Sequence, residues 1–449
     1  MGSYQVTGGQ RITGEFAVRG SKNAALPILA ACLLSEDTVV LERLPQIRDV
    51  EQTLQILEEL GCRVERGEHR AVIDSRSLQK TEISSHTVRQ MRSSILFLGA
   101  LLGRMGEGRL ASPGGCAIGK RPIDLHLAAF AEMGVEIKQE GEQLDCRCAE
   151  ITGRQIRLDF PSVGATENIL LLAVKARGVT ELHNAAKEPE ISALVRFLRG
   201  MGAEIYGEGT ETLLIHGAER LHGTRFSIPA DRIEGGTFLC AAAITGGELL
   251  LEGVERWQLG AVQETLEKMG CQMLWETRKR LWMRPPCRLL SDIVIRTGPF
   301  PDFPTDLQPL FMSLLTLAKG NCMMIETVFE ARFSQGKELC RMGADIRIDG
   351  QKAWIRGVER LHGAEVFAQD LRCGAALVVA ALAAEGESLI HGSEYVERGY
   401  ERIEDALLSL GGRIRRIEER EKNVKKTEEA AESKKGNAGY RFDGGIGIL

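Results

Sequence analysis

The chain has 449 residues, of which 43% are hydrophobic, and a formal net charge of −5 at pH 7. This length exceeds what one hydrophobic core usually organises, so we expect two domains or a repeat architecture. The acidic balance leaves no overall basic field for nucleic acid, and the sequence shows neither a charged leader followed by an apolar run nor about 18 consecutive apolar residues that would predict a membrane span.

Six copies of one pattern follow each other along the chain, each an amphipathic helix that ends at a glycine before an alternating strand. The glycines are Gly61, Gly134, Gly202, Gly270, Gly343 and Gly411, which are 73, 68, 68, 73 and 68 residues apart. Each suits the left-handed position that follows a helix C-terminus. A helix that is apolar almost all round precedes each marker and is predicted to be buried. These helices are predicted at 24–34, 93–102, 164–174, 236–244, 307–317 and 374–384.

The loop within residues 112–125 carries the most chemical information. Cys116 lies among glycines just before Lys120 and Arg121, and Pro122 suits the first turn of a helix. Free N–H groups at that helix N-terminus would favour an anion. A thiol beside cations is typical of a reactive cysteine, although a free cysteine is more often a small buried hydrophobic residue. The loop does not predict a nucleotide hydrolase, because Arg121 stands where a phosphate-binding loop needs Ser or Thr.

The other ten cysteines are scattered, many of them in apolar segments. This usage fits reduced core thiols in a cytoplasmic protein better than a disulfide framework. Cys146 and Cys148 form the only close pair, and they lack a second pair or histidines at zinc spacing, so we predict no metal site.

Polar residues interrupt the other apolar repeat edges. Lys22 opens the first buried helix and Asp306 opens the fifth. Taken singly, a solvated lysine or a helix-capping aspartate is the simpler interpretation of each. Cations recur at related edges of the repeats, which together predict a site for a polyanionic ligand. They are Lys22, Arg92, Arg121, Arg372 and Arg398.

Several of these segments, taken in order, closely resemble the enolpyruvyl transferases, in the branch that acts on UDP-N-acetylglucosamine. The matching runs are GSKNAALP at 20–27, PGGCAIG at 113–119, SVGAT at 162–166, FPTD at 303–306, DLR at 370–372 and RGYER at 398–402. The resemblance covers residues 3–417 and implies the α/β enolpyruvyl transferase fold, an inside-out α/β barrel in two domains of three βαβαββ-type units. The first domain would be 22–229, the second 1–21 with 230–417, and 418–449 a disordered charged tail.

The resemblance also implies a reaction. The enolpyruvyl group of phosphoenolpyruvate would pass to the 3-hydroxyl of UDP-N-acetylglucosamine with release of phosphate, at the first committed step of peptidoglycan synthesis, which serves cell-wall formation, cell shape and division. It implies no cofactor, metal, nucleic acid, membrane or obligate protein partner. Cys116 would supply a proton and Asp306 would accept one, with Lys22 and Arg398 completing the catalytic set.

Substrate contacts are implied in the same way. Phosphoenolpyruvate would be held by Lys22, Asn23, Arg121 and Arg398. The nucleotide sugar would contact Arg92, Arg121, Pro122, Ile123, Asp124, Leu125, Ser162, Val163, Gly164, Asp306 and Val328.

Two departures from the family pattern affect this set. Phe160 stands where many relatives carry lysine, and Ala331 stands before Arg332 where asparagine is common. Two alternative functions stay open at this point. One is the sister reaction on shikimate 3-phosphate, and the other is a catalytically silent paralogue that binds a UDP-sugar.

Overall fold

The computed structural model describes residues 2–111 and 123–418. Its strands are β1 Ser3–Thr7, β2 Gly14–Ala17, β3 Val39–Glu42, β4 Arg63–Gly67, β5 Arg70–Asp74, β6 Glu82–Ile83, β7 Glu107–Ala111, β8 Glu136–Glu140, β9 Gln143–Arg147, β10 Gln155–Arg157, β11 Val179–His183, β12 Glu204–Tyr206, β13 Thr212–His216, β14 Arg225–Ser227, β15 Leu249–Glu252, β16 Gln272–Thr277, β17 Arg280–Arg284, β18 Val294–Arg296, β19 Asn321–Ile325, β20 Asp345–Asp349, β21 Lys352–Arg356, β22 Glu365–Phe367, β23 Glu387–His391 and β24 Arg413–Ile417.

The α-helices are α1 Lys22–Ala31, α2 Arg48–Glu59, α3 Ser85–Gln90, α4 Leu96–Met105, α5 Asp124–Glu132, α6 Val163–Ala173, α7 Pro189–Gly200, α8 Arg232–Thr245, α9 Gly260–Lys268, α10 Gln308–Leu315, α11 Ser334–Arg341, α12 Leu371–Ala383, α13 Ser393–Val396 and α14 Ile403–Ser409. Short 3₁₀ helices span Cys32–Leu34, Arg92–Ile95, Arg256–Leu259 and Thr305–Leu307.

The strands form six four-stranded sheets of one design. In each sheet one edge pair is parallel and the other two pairs are antiparallel, as where β14 lies parallel to β3 while β3, β5 and β4 alternate in direction. Parallel neighbours need a crossover connection, whereas antiparallel neighbours can be joined by a hairpin, so the design is that of a βαβαββ unit. The six predicted repeats are confirmed. The strand orders are β14-β3-β5-β4, β6-β7-β9-β8, β10-β11-β13-β12, β2-β15-β17-β16, β18-β19-β21-β20 and β22-β23-β1-β24.

The predicted glycines and buried helices are also confirmed. All six glycines have positive φ angles, from 91° at Gly411 to 105° at Gly61. The apolar helices are α1, α4, α6, α8, α10 and α12, and their ends differ slightly from those predicted. Helix α8 begins at Arg232, ahead of the predicted residue 236, because the Asp231 side chain accepts hydrogen bonds from the N–H groups of Ile233 and Glu234 in its first turn. No helix in the described ranges is long and apolar enough to cross a membrane.

Buried apolar side chains form two clusters. The first lies between Ala24 and Ile228, around α1, α4 and α6, and the second joins Tyr4–Val18 to Ala230–Ile414, around α8, α10 and α12. We call the parts of the chain around these clusters the first and second halves. The N-terminal strands pair with the second half, since β1 lies between β23 and β24 and β2 lies beside β15.

The chain passes between the halves at two neighbouring segments. Ser21 N–H donates to the Pro229 carbonyl at 2.7 Å, and Lys22 N–H donates to Asp231 Oδ2 at 3.1 Å. Helices α1 and α8 both begin here, at Lys22 and Arg232. The positive ends of both helix dipoles therefore lie at the boundary between the halves.

Candidate active site

Lys22, Asp49 and Arg398 form the Asp49 cluster, in which one carboxylate faces two cations. Asp49 lies in the first turn of α2; its Oδ2 is 2.6 Å from Lys22 Nζ, and its Oδ1 accepts from Arg398 Nε at 2.9 Å. The Asp49 side chain is 2% exposed, against 12% for Lys22 and 32% for Arg398. The carboxylate is thus on the protein side, and the cations lie towards solvent.

Burial shapes the charges of this cluster. Burial is the largest influence on the pKa of Lys22 and lowers it, Asp49 acts in the opposite direction, and the positive charges of Arg398 and Arg372 lower the pKa further. For Asp49, burial alone would raise the pKa, but Lys22 and Arg398 bring it below its ordinary value. Asp49 is therefore ionised, and Lys22 gives up its proton more readily than an ordinary lysine.

Asp306, Arg332 and Arg372 form the Asp306 cluster, in which the exposure is reversed. Asp306 Oδ1 accepts from Arg332 Nη2 at 2.8 Å, and its Oδ2 accepts from Arg372 Nη2 at 2.9 Å. The carboxylate is 26% exposed, whereas the arginine side chains are 4% and 5% exposed. The alternative interpretation of Asp306 as a helix cap is wrong, because no side chain caps the 3₁₀ helix at Thr305–Leu307.

The Tyr400 hydroxyl holds Arg372 on the side away from Asp306. Its Nη1 donates to the Tyr400 hydroxyl at 3.0 Å, and that hydroxyl is 2.8 Å from Thr237 Oγ1 on α8. Tyr400 is 2% exposed, and the Arg372 guanidinium lies 5.5 Å from the centre of its ring. A planar guanidinium held on both a hydroxyl and an aromatic ring has little freedom, so the direction of its remaining N–H groups is fixed.

The two clusters lie side by side. Asp231 Oδ2 accepts from Lys22 N–H, while its Oδ1 accepts from the N–H groups of Ile233 and Glu234. Burial raises the pKa of Asp231, and the charge of Arg372 acts against this rise. Because Arg372 also lowers the pKa of Lys22, it is electrostatically coupled to both residues. Asp231, the residue that caps α8, is therefore hydrogen-bonded to the start of α1 and near enough to Arg372 of the Asp306 cluster to interact with its charge.

A second group of predicted residues lies in the first half. Residues 123–125 stand at the start of α5, and Ser162 caps the start of α6. A Cβ on Gly164 would lie 3.4 Å from His126 Cε1, so the two helix starts are in contact. Burial lowers the pKa of His126 to about 4, and the charge of Arg92 acts in the same direction. Arg92 therefore lies close to this pair of helix N-termini.

The remaining predicted residues can be located only by their elements and their exposure. Asn23 follows Lys22 in the first turn of α1, and Val328 follows β19; both are half-buried. Phe160 is exposed just before the start of α6. Three predicted residues lie outside the described residues, namely Cys116, Arg121 and Pro122. Residues 419–449 of the predicted tail lie outside them as well.

Sequence reasoning missed three members of the site. Asp49 was hidden because an aspartate in the first turn of an amphipathic helix is ordinarily explained by the helix dipole. Asp231 lies next to the predicted domain boundary at 229–230 and Tyr400 within the RGYER run, and the sequence assigned a role to neither. A buried aspartate opposite two cations is visible only in three dimensions. Among residues 2–111 and 123–418, no group of His, Cys, Asp or Glu side chains could hold a metal ion.

Comparisons with known proteins show the family to which the chain belongs. Residues 6–407 match the family model described as EPSP synthase (3-phosphoshikimate 1-carboxyvinyltransferase). A protein of Caldanaerobacter subterraneus named UDP-N-acetylglucosamine 1-carboxyvinyltransferase 2 is 45% identical over 93% of this chain and 100% of its own length. A UDP-N-acetylglucosamine 1-carboxyvinyltransferase of Nitratidesulfovibrio vulgaris is 47% identical over 93% of this chain and 99% of its own.

Solved structures agree on the fold. The enolpyruvyl transferase NikO from Streptomyces tendae matches with a TM-score of 0.84 at 24% identity, over 93% of this chain and 99% of its own. An EPSP synthase from Acinetobacter baumannii matches with a TM-score of 0.72 at 20% identity, over 93% of this chain and 100% of its own. The fold and the site thus define an enolpyruvyl transferase. By its relatives, the chain belongs to the UDP-N-acetylglucosamine 1-carboxyvinyltransferase family.

Proposed function

We propose that this chain transfers the enolpyruvyl group of phosphoenolpyruvate to the 3-hydroxyl of UDP-N-acetylglucosamine, using the Asp49 and Asp306 clusters together. The names of its relatives support this acceptor over shikimate 3-phosphate. Each cluster combines one carboxylate with two cations, and the helix N-termini of α1 and α8 lie beside them. Such a site suits a substrate that carries both a phosphate and a carboxylate.

In this proposal Lys22 and Arg398 bind phosphoenolpyruvate, with Asn23 and Arg121 alongside. Both cations of the Asp49 cluster reach solvent while their shared carboxylate is buried, so an anionic ligand can approach the cations without meeting Asp49 first. Two fixed positive charges stabilise an anion more strongly once the bound ligand has displaced the water around them. Binding in this way also places the enol group beside the Asp306 cluster.

Asp306 is the proposed general base. Asp306 Oδ1 and Oδ2 accept hydrogen bonds from Arg332 and Arg372, and the Asp306 side chain is more exposed than that of either arginine. Asp306 takes the proton of the sugar hydroxyl as the hydroxyl oxygen bonds to the central carbon of the enol, and Cys116 delivers a proton to the terminal methylene. The C–O bond to phosphate then breaks and phosphate leaves, while the Cys116 thiolate takes a proton back from the new methyl group, which restores the double bond.

The nucleotide sugar is proposed to bind across the starts of α5 and α6, where Arg92, residues 123–125 and residues 162–164 come together. Arg121, Pro122 and Val328 complete the proposed contacts. A diphosphate suits helix N-termini and an arginine for the same electrostatic reasons as phosphoenolpyruvate does. The exposed Phe160 adds no cation here, so we expect it to contact the nucleotide through its ring rather than through charge.

We propose that the reaction takes place in the cytoplasm and serves cell-wall synthesis, and through it cell shape and division. The thiol state of the cysteines supports this setting, because the ten cysteines in the described residues are all free. Disulfides are rare in the reducing cytoplasm, so free thiols at these ten positions fit that compartment.

The reversed exposure of the two clusters is the observation that carries the proposal, and phosphate release tests it. The purified protein is supplied with phosphoenolpyruvate and either UDP-N-acetylglucosamine or shikimate 3-phosphate, beside a Cys116→Ala variant. We expect release only with the nucleotide sugar, and its loss in the variant. Release with shikimate 3-phosphate would overturn the acceptor, and no release with either would favour the silent paralogue.

A further inference from the structure

The segment that carries Asp306 is tied to a buried glutamate for which the reaction outlined above has no role. Glu326 follows directly after β19 and is 1% exposed. Its Oε2 accepts a hydrogen bond from the hydroxyl of Thr305 at 2.9 Å, and Thr305 immediately precedes Asp306 in the chain. Burying an ionised carboxylate is costly unless it is fully hydrogen-bonded, so its other partners decide what this residue does.

The second oxygen of Glu326 gathers three more donors. Its Oε1 accepts from Val328 N–H at 2.8 Å, from Phe329 N–H at 3.1 Å and from the Thr297 hydroxyl at 2.9 Å. All four donors to the carboxylate are neutral. An ionised carboxylate only accepts hydrogen bonds, so this environment fits a charged Glu326 with both oxygens satisfied.

These bonds link the two ends of the Asp306 cluster. Thr305 precedes the carboxylate itself, while the 328–329 backbone leads to Arg332, whose guanidinium donates to Asp306 Oδ1 and lies 5.2 Å from the centre of the Phe329 ring. The same backbone carries Val328, a proposed contact of the nucleotide sugar. One side chain therefore sets the base, one of its arginines and a sugar contact relative to each other.

We propose that Glu326 is a positioning residue that fixes the Asp306 carboxylate at the distance from the sugar hydroxyl that proton transfer requires. This inference rests on the proposed role of Asp306 as the base. A displacement of about 1 Å in a reacting group can lower a rate about 100-fold, so the reach of the glutamate matters as much as its charge. Lys22 and Arg398 pair with Asp49, so we expect phosphoenolpyruvate binding to depend little on Glu326.

Two substitutions separate the effect of the length of the Glu326 side chain from the effect of its charge. Glu326→Asp keeps the charge but is one methylene too short to bond Thr305 and the 328–329 backbone together. Glu326→Gln keeps the reach, and its oxygen can face the two N–H groups while its NH₂ donates to the Thr305 hydroxyl, which can turn to accept. Positioning therefore predicts that kcat falls about 50-fold in Glu326→Asp and only about 5-fold in Glu326→Gln.

The experiment measures kcat, the KM of each substrate and thermal unfolding for both variants. Glu338→Asp is the matched control, because Glu338 is also buried, at 3% exposure, and accepts from Phe367 N–H at 3.1 Å. We expect both aspartate variants to lose similar stability, but only Glu326→Asp to lose kcat, with the KM for phosphoenolpyruvate within about threefold of the parent. Thr305→Val, which removes the linking hydroxyl, should lower kcat about 10-fold and decides the matter if Glu326→Asp fails to fold.

Three results would overturn the inference: unchanged kcat in folded Glu326→Asp and in Thr305→Val, a greater loss in Glu326→Gln than in Glu326→Asp, or a KM for phosphoenolpyruvate that rises as steeply as kcat falls. Asp306→Asn is measured alongside. Full turnover in Asp306→Asn would overturn the base assignment itself, whereas an inactive Asp306→Asn with a fully active Glu326→Asp would overturn only the role of Glu326.

Discussion

The Asp49 and Asp306 clusters contain the same charges in opposite arrangements. Each has one carboxylate and two cations, which leaves one net positive charge per cluster. In the first cluster the carboxylate is buried and the cations are more exposed, and in the second the carboxylate is the exposed member. Both clusters have the same composition, so the difference lies in which group is exposed. A cluster with exposed cations can bind an anion, and a cluster with an exposed carboxylate can accept a proton.

The buried groups of each cluster stabilise and position the exposed ones. An unpaired cation near the boundary of the halves would be costly to desolvate, and Asp49 offsets that cost for both Lys22 and Arg398. In the other cluster, two buried arginines fix the carboxylate between them by hydrogen bonds of 2.8 and 2.9 Å. The buried groups thus orient the exposed ones. Four substitutions test the separate roles of the buried and exposed groups.

The largest effect is expected for Asp306→Asn. An amide cannot take the hydroxyl proton, so kcat should fall about 1000-fold while the protein stays folded. Steady-state phosphate release measures this change. The control is Asp74→Asn, since Asp74 is similarly exposed at 21% and paired with Arg76. Equal losses in both variants would contradict a special role for Asp306.

A smaller effect is expected for Arg398→Ala. Loss of a charge-assisted bond to the substrate should raise the KM for phosphoenolpyruvate about 50-fold and change kcat less. Initial rates at varied phosphoenolpyruvate give both constants. Arg66→Ala is the control, because Arg66 is 35% exposed and also paired with acidic side chains, Glu51 and Glu58. A loss confined to kcat would argue that Arg398 does not bind this substrate.

The pH dependence of binding should distinguish Lys22 from arginine. Burial lowers the pKa of Lys22, so its charge, and with it the affinity for phosphoenolpyruvate, should fall at a lower pH than for an ordinary lysine. We expect binding to weaken about 10-fold between about pH 7 and pH 10, and Lys22→Arg to remove this slope, because arginine stays protonated there. Calorimetry in a Cys116→Ala background, where that thiol cannot titrate, is the measurement. The same slope in both proteins would exclude Lys22 as its source.

The smallest effect is expected for Tyr400→Phe. Removing the hydroxyl costs Arg372 one hydrogen bond, worth about 1 kcal/mol, while Thr237 keeps its bond to the Ile233 carbonyl at 2.8 Å. We expect a slightly lower melting temperature and a kcat lower by about threefold. Tyr206→Phe, at an exposed tyrosine, should change neither quantity. A Tyr400→Phe enzyme identical to the parent would show that Arg372 is held without this bond.

Much of the fold could be predicted because short segments of the sequence determine its elements. A glycine after each amphipathic helix needs a left-handed conformation, and Gly61 and Gly411 both adopt it. Helices that are apolar all round can only be buried, which placed α1 and α12 in advance. The exact helix starts were less predictable, because capping by a side chain such as Asp231 competes with the apolar pattern.

The site was only partly predictable, because its contacts join residues far apart in the chain. Lys22, Asp306 and Arg398 were found from motifs and from their positions at repeat edges. Asp49 and Glu326 were not, since a single acidic residue in a sequence does not reveal whether it is solvated or buried. Their roles follow from partners that only the folded chain brings within hydrogen-bonding distance.

We assign substrate binding and proton transfer to different clusters. The measurement that tests this assignment is the dissociation constant of phosphoenolpyruvate for Asp306→Asn in the presence of UDP-N-acetylglucosamine, beside Asp306→Asn/Arg398→Ala. Asp306→Asn should bind with a constant within about threefold of the parental KM, and the added Arg398→Ala should weaken binding about 50-fold. An Asp306→Asn protein that has itself lost phosphoenolpyruvate binding, so that the second substitution changes nothing, would show that the two clusters do not have separate functions.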